Sequence, residues 1–199
     1  LNPMGEILNQ TSTVGFNPVF HSTEFVFEHL KSNVILCSIQ NKISQVFFYG
    51  AGCSSDSKKS VIRNAIKTHF TTAQIYIGHD LEAAAIATFD QEPHIACILG
   101  TGSNSCLFDG NKCIENTPAL GFILGDEASG AYLGKKLVQA FLYHQLPDEI
   151  QSDFVETYQL DIHQIIDQVY RQPSPNVFLA SLTPFIHKHL SNSVIRNIV

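Results

Sequence analysis

The stretch from Val46 to Asp80, VFFYGAGCSSDSKKSVIRNAIKTHFTTAQIYIGHD, carries the reading of the fold. Val46-Phe47-Phe48-Tyr49 is a short, wholly apolar run ended by Gly50-Ala51-Gly52, the form of a strand buried on both faces. Asp56 is a natural cap for a helix carrying Val61, Ile62, Ala65 and Ile66, and Gln74 to Ile77 is the next strand. Strand, loop, helix, strand in that order predicts a parallel α/β sheet.

Toward the N-terminus, Glu6 to Val14 reads as a strand leaving a Met4-Gly5 turn, and Gly15-Phe16-Asn17-Pro18 breaks it. A helix follows from a Ser22/Thr23 cap to about Lys31, with Phe25, Phe27 and Leu30 on its apolar side. Toward the C-terminus, His79-Asp80 opens an Ala-rich helix that runs to about Phe89. Ile95 to Leu99 is then a strand, and Gly100-Thr101-Gly102-Ser103-Asn104 turns it into another, Ser105 to Phe108. Asp109-Gly110 is a two-residue hairpin signal leading to Lys112 to Glu115, which makes this region an antiparallel meander. From Ser129 the chain reads helical: 131–143, 148–158, 162–170, and 176–189 behind Pro173-x-Pro175. The change of character places the expected division between an α/β lobe over residues 1–117 and a helical part over 118–199.

Composition bounds the partners. The 199 residues carry a net charge of −6, with 44% apolar and 15% charged side chains, which excludes a disordered chain, a collagen or a coiled coil. Net acidity argues against a nucleic-acid partner, and no apolar run approaches the ~18 residues of a spanning helix. The chain opens without a charged leader and apolar core, so export and membrane insertion are not expected. Cys37, Cys53, Cys97, Cys106 and Cys113 follow no C-x-x-C spacing, which favours reduced thiols in a cytoplasmic protein. No H-E-x-x-H occurs, and no metal ligand set is expected.

Four places could hold chemistry. In Gly100 to Ser103 two glycines flank a hydroxyl residue, so backbone N–H groups could face an anion; an ordinary tight hairpin would look the same. Asp80 ends a buried strand and opens a helix. It is either an N-cap or a carboxylate at the ligand-facing end of a parallel sheet, placed to act as a general base. Gly125-Asp126-Glu127, at the entry to a helix, complements its dipole with or without a further role. Asn17 sits in a break between elements, where asparagine commonly forms turns.

Taken in order, five segments resemble the N-acetylglucosamine kinase and BadF/BcrA-type ATPase branch of the actin-like ATPase and sugar-kinase superfamily. They are Gly15-Phe16-Asn17-Pro18, Tyr49-Gly50-Ala51-Gly52-Cys53, Asp80 with Ala83-Ala84-Ala85, Leu99-Gly100-Thr101-Gly102-Ser103-Asn104, and Leu124-Gly125-Asp126-Glu127-Ala128-Ser129-Gly130. The resemblance implies ribonuclease-H-like α/β lobes, one with a mixed sheet and the other represented by a largely helical part, with nucleotide and sugar bound between them. It implies that Asp80 deprotonates the sugar 6-hydroxyl, that Gly100, Thr101 and Gly102 face the phosphates, and that Asn17, Ser103, Asn104, Gly121 and Asp126 lie on the sugar side. ATP and Mg²⁺ are the implied cofactors, an amino sugar the partner, and a homodimer the assembly left open. The family's opening strand with an Asp-x-Gly-x-Thr loop and its C-terminal Gly-rich adenosine motif have no counterpart within Leu1 to Val199, so a piece of a longer kinase is expected. An activator-type ATPase and a non-catalytic sugar sensor are the alternatives. Ala128 stands where the family has Gly, which disfavours a positive φ there.

Overall fold

A single helix joins the two strands of the Val46–Asp80 stretch, and in the computed structural model, which describes residues 1–199, they pair in parallel. The chain divides into two compact units, Leu1–Asp90 and Gln91–Val199. The expected division at 117/118 falls inside the second of them.

In the first unit β1 (Gln45–Gly50) lies beside β2 (Gln74–His79), with Val46 opposite Ile75 and Tyr49 opposite Gly78. The crossover helix is preceded by α1 (Thr23–Ser32) and α2 (Val34–Ile39), and is itself α3 (Asp56–His69); α4 (Asp80–Ala87) follows β2. Ser22 caps α1 by accepting a hydrogen bond from the Phe25 N–H. Val26 and Leu30 enter the core, whereas Phe25 stays partly exposed and stacks on His21 at 4.3 Å. In α3 the cap is Ser55, whose hydroxyl accepts from the Lys58 N–H at 3.4 Å; Asp56 is the first helical residue instead of the cap. The core joins Val26 and Leu30 to Ile62, Ala65, Ile66, Phe70 and Ile77, with Val46 and Phe48 packed against it.

Two further expectations for this unit are corrected. β1 is covered on one face only: Phe47 is 58% exposed and stacks on Tyr76 of β2 at 4.7 Å, because the all-apolar run carries no alternation to mark its open side. Residues 6–14 form no strand. A strand needs a ladder partner for its backbone groups, and this segment is instead tied by side chains, the Asn33 amide donating to Thr11 Oγ1 at 3.0 Å.

In the second unit β3 (His94–Leu99), β4 (Ser103–Phe108) and β5 (Cys113–Asn116) form the expected antiparallel meander, with a register shift at Leu107/Phe108. The helices are α5 (Gly121–Leu124), α6 (Gly130–Leu142), α7 (Asp148–Tyr158), α8 (Ile162–Tyr170), α9 (Pro175–Ala180), α10 (Thr183–Lys188) and α11 (Ser193–Arg196). The single helix expected over 176–189 is two, because Pro184 has no N–H to offer the Ala180 carbonyl. The Thr183 hydroxyl donates to that carbonyl in its place, at 2.9 Å.

The core of this unit gathers Leu137, Phe141, Ile150, Phe154, Ile165, Leu179, Leu182, Phe185 and Ile195. The spacing of Ala131, Gly134, Leu137, Val138 and Phe141 turns one face of α6 inward. Gly134 has a packing purpose: a Cβ on it would strike the Leu179 carbonyl of α9. Glycine inside a helix costs about 1 kcal/mol relative to alanine, and here that cost admits a close helix crossing. Gly134→Ala is therefore expected to destabilise the chain by about 1–3 kcal/mol through overpacking, although alanine is the better helix former. A thermal or urea melt checks this, and an unchanged or raised midpoint would show that α9 moves aside freely.

Candidate functional site

Four peptide hydrogen bonds build the centre of the second unit. The N–H of Gly130, first residue of α6, donates to the Gly100 carbonyl at 2.8 Å, and that of Ala131 donates to the Thr101 carbonyl at 3.1 Å. The Tyr132 N–H is taken by the hydroxyl of Ser129, a fully buried N-cap, and the Ser129 N–H by the Asp126 carbonyl at 3.1 Å. The leading donors of α6, which have no partners inside a helix, thus hold the β3–β4 turn.

This holds the turn's other groups in a useful direction. Within a trans peptide the C=O and the next N–H point oppositely, so carbonyls of Gly100 and Thr101 drawn to α6 turn the N–H groups of Thr101 and Gly102 away from it. Neither of these two N–H groups donates to a backbone carbonyl. Two adjacent peptide donors facing one way are the chemistry of an oxyanion or phosphate cradle.

Two cavities share Leu99 at this turn. One of about 430 Å³ is lined by Leu99, Gly100, Thr101, Ala128, Gly130 and Thr183. The other, of about 440 Å³, is lined by Ser103, Asn104, Thr117, Leu120, Asp126 and Glu127 among others. Gly100 and Thr101, expected near phosphate, and Ser103, Asn104 and Asp126, expected near sugar, thus line cavities around one turn of the second unit, whereas Asn17 lies in the first. Gly121, at φ +74°, begins α5 next to Leu120 of the second cavity. A further cavity of about 590 Å³ among α6, α7 and α8 contains none of these residues.

The loop before α6 is held in an unusual backbone form. Asp126 and Ala128 have φ of +56° and +61°. The expectation that Ala128 avoids a positive φ is corrected: the bonds of the turn to α6 fix the loop on either side of it, and alanine accepts the left-handed region at a cost of roughly 1 kcal/mol. The Asp126 carboxylate packs so closely on Gly102 that a Cβ there would lie 2.8 Å from Oδ2. Ser103 donates its hydroxyl to the Glu127 carbonyl at 2.8 Å, closing the turn on the same loop. Thr117 and the capping role of Ser129 were not singled out by sequence, whereas Glu127 lay within a candidate segment. The Ser129 to Tyr132 spacing ahead of an apolar run was the signal that could have found the cap.

In the first unit the candidate residues are Asn17 and Asp80. A Cβ on Gly52, at φ +79°, would strike the Asn17 amide oxygen, so glycine there admits the asparagine side chain. That oxygen also accepts the Val19 N–H at 2.9 Å, an Asx turn that positions the Asn17 side chain.

Asp80 is the first residue of α4, and the preceding His79 occupies the N-cap position. His79 Nδ1 lies 2.6 Å from Asp80 Oδ1, and the Leu81 N–H is 2.9 Å from Oδ1 and 3.3 Å from Nδ1. A nitrogen that donates cannot also accept. With Asp80 ionised, Nδ1–H donates to the carboxylate, and the Leu81 N–H goes to Oδ1 as well. The His79 hydrogen bond lowers the Asp80 pKa from its ordinary value against the opposing effect of burial, with the Leu81 N–H adding to it. Burial raises the Cys53 thiol, and the negative charge of Asp80 adds to that rise.

Because the folded state holds Asp80 below its unfolded value, the stabilisation from this contact is complete above the ordinary carboxylate range. It is lost as pH falls through the lowered value. In His79→Ala the Asp80 carboxyl midpoint, followed by ¹³C chemical shift, is expected to move upward toward that of an unperturbed aspartate. An unmoved midpoint would assign the lowering to the α4 backbone alone.

No family model matches the chain. A curated relative, the N-acetylmuramic acid/N-acetylglucosamine kinase of Clostridium acetobutylicum, is 26% identical over 142 residues, covering 69% of this chain and 46% of the relative. A crystal structure from Porphyromonas gingivalis, of a protein provisionally named an N-acetylglucosamine kinase, superposes with a TM-score of 0.87 at 38% identity over 92% of this chain and 66% of that one. A provisionally named N-acetylglucosamine kinase from Chromobacterium violaceum shares the fold at a TM-score of 0.60 and 17% identity, over 88% of this chain and 62% of that one. The chain therefore spans about half of the curated relative and just under two thirds of the solved proteins. Its mixed α/β fold is that of these sugar-kinase structures, and the similarities are consistent with a member of the N-acetylglucosamine kinase family.

Proposed function

We propose that this chain is part of an ATP-dependent sugar kinase that transfers phosphate to the 6-hydroxyl of N-acetylglucosamine or a related amino sugar. The observation that carries the reading is the β3–β4 turn, with paired peptide donors and a cavity on each side of Leu99. The kinase names of the relatives support the same class. In this reading the lobes are ribonuclease-H-like and the protein is cytoplasmic, and the turn through Gly100, Thr101 and Gly102 takes the phosphates. Ser103, Asn104, Asn17, Gly121 and Asp126 serve the sugar.

Asp80 is the base. The sugar oxygen attacks the terminal phosphorus, the bond to the departing diphosphate breaks, and the hydroxyl proton passes to the carboxylate. The His79 hydrogen bond favours the ionised form of that carboxylate. In this reading Mg²⁺ is carried on the phosphates and water. When bound, such an ion neutralises phosphate charge.

The test uses the full-length protein in a coupled ADP-release assay across hexoses and N-acetylhexosamines. N-acetylated sugars are expected to stimulate turnover, and Asp80→Asn to lower it by about 10²–10⁴-fold with sugar binding retained. Retained turnover in Asp80→Asn would remove the base assignment. Sugar binding without turnover in the wild type would favour a sensor, and turnover indifferent to every sugar an activator-type ATPase.

A further inference from the structure

The meander carries three cysteines whose placement the proposed reaction does not use. Cys106 on β4 and Cys113 at the start of β5 meet with their sulfurs 3.1 Å apart. Cys113 lies opposite Phe108, two residues beyond Cys106, so the two thiols are diagonal neighbours on one face. Cys106 is 2% exposed, and Cys113 is partly open. Cys97 on β3 lies opposite Ser105 and faces the exposed side of the sheet, so strand alternation keeps it away from this pair.

We propose that Cys106 and Cys113 form a reversible intramolecular disulfide by exchange with a small-molecule disulfide such as oxidised glutathione. The sulfurs need to close by about 1 Å to reach the bonded distance of ~2.05 Å. The register shift at Leu107/Phe108, between the two positions, is where the ladder is already irregular.

The order of events follows from exposure and protonation. Cys113 is the sulfur that an outside disulfide can reach. Cys106 donates its S–H toward Cys113 and, buried beside it, has its own pKa raised to about 11; it keeps its proton while Cys113 reacts. The Cys113 thiolate attacks one sulfur of the small disulfide and displaces the first small thiolate. The Cys106 sulfur then attacks the Cys113 sulfur of the mixed disulfide, giving up its proton and displacing the second. The protein dithiol is oxidised, the small disulfide is reduced to two thiols, and the two protons leave with them. The bond would staple β4 to β5. Ser103, Asn104 and Ser105 of β4 and Thr117 beyond β5 line one of the two cavities, so the staple reaches the candidate site through the strands.

The test is redox equilibration of the folded chain over a series of reduced-to-oxidised glutathione ratios. Acid quenching, thiol counting after unfolding and peptide mass spectrometry provide the readout. A Cys106–Cys113 linked peptide is expected, with both of these thiols lost to it whatever the exposed Cys97 does. Cys106→Ser is expected to trap glutathione on Cys113, and Cys113→Ser to leave Cys106 unreacted, with circular dichroism confirming that each variant is folded. Five thiols surviving the oxidised buffer, a stable glutathione adduct on wild-type Cys113, or a bridge through Cys97 would each overturn the proposal. Should either serine variant fail to fold, the wild-type linked peptide and its reversal by reduced glutathione decide the matter alone.

Discussion

The hydrogen bonds from the start of α6 to the Gly100 and Thr101 carbonyls constrain everything else in the second unit. A helix N-terminus is commonly regarded as an anion site in its own right. Here its first two N–H groups are spent on the turn and the third on Ser129, so α6 acts on a ligand only through the turn. Each of those two peptides accepts from the helix at its oxygen and presents an N–H on its opposite edge. Polarisation along such a chain strengthens the outward donor, and the positive end of the α6 dipole adds in the same sense. The site can thus favour an anion without a lysine or arginine at the turn itself.

The same bonds explain the loop from Gly125 to Ser129. Its path must bring the Ser129 side chain to the helix, the Asp126 carbonyl to the Ser129 N–H, and the Glu127 carbonyl to Ser103. Meeting all three within so few residues requires left-handed backbone at Asp126 and Ala128. Each such residue costs roughly 1 kcal/mol, which is comparable to the net worth of one of the hydrogen bonds. The bonds outnumber the strained residues, and the loop keeps its form with an alanine in place of a glycine.

Much of this was legible in the sequence, and the failures share a cause. The crossover from β1 to β2, the meander, and the spans of α7 and α8 follow from local periodicity and turn chemistry, and all stand in the structure. The Gly100 turn and Asp126 could be marked as candidates because glycine and acidic residues at element ends carry local meaning. Readings that needed knowledge of a partner did not hold. Residues 6–14 have strand-like composition and no ladder, and β1 has an apolar run with no sign of which side is open. Asp56 and Asp80 each lie one residue past the true cap, Ser55 or His79, because capping depends on backbone angles that composition does not reveal. Thr117 lines a cavity only because the meander folds it back onto Ser105, a contact with no motif of its own.

His79 bears on the chemistry proposed for Asp80 in a way that looks adverse. A hydrogen bond that lowers a carboxylate's pKa also weakens it as a base, and general-base efficiency ordinarily rises with basicity. Phosphoryl transfer relaxes that demand. In a loose transition state the phosphoryl group has largely left its donor before the new P–O bond is strong, so the attacking oxygen becomes acidic late. Little proton has to move early, and a weak base suffices provided it is ionised and correctly aimed. His79 supplies the aim, because its N–H fixes one carboxylate oxygen, shared with the Leu81 N–H, and leaves the other uncommitted. For this reaction a positioned carboxylate of low pKa serves better than a stronger base free to rotate.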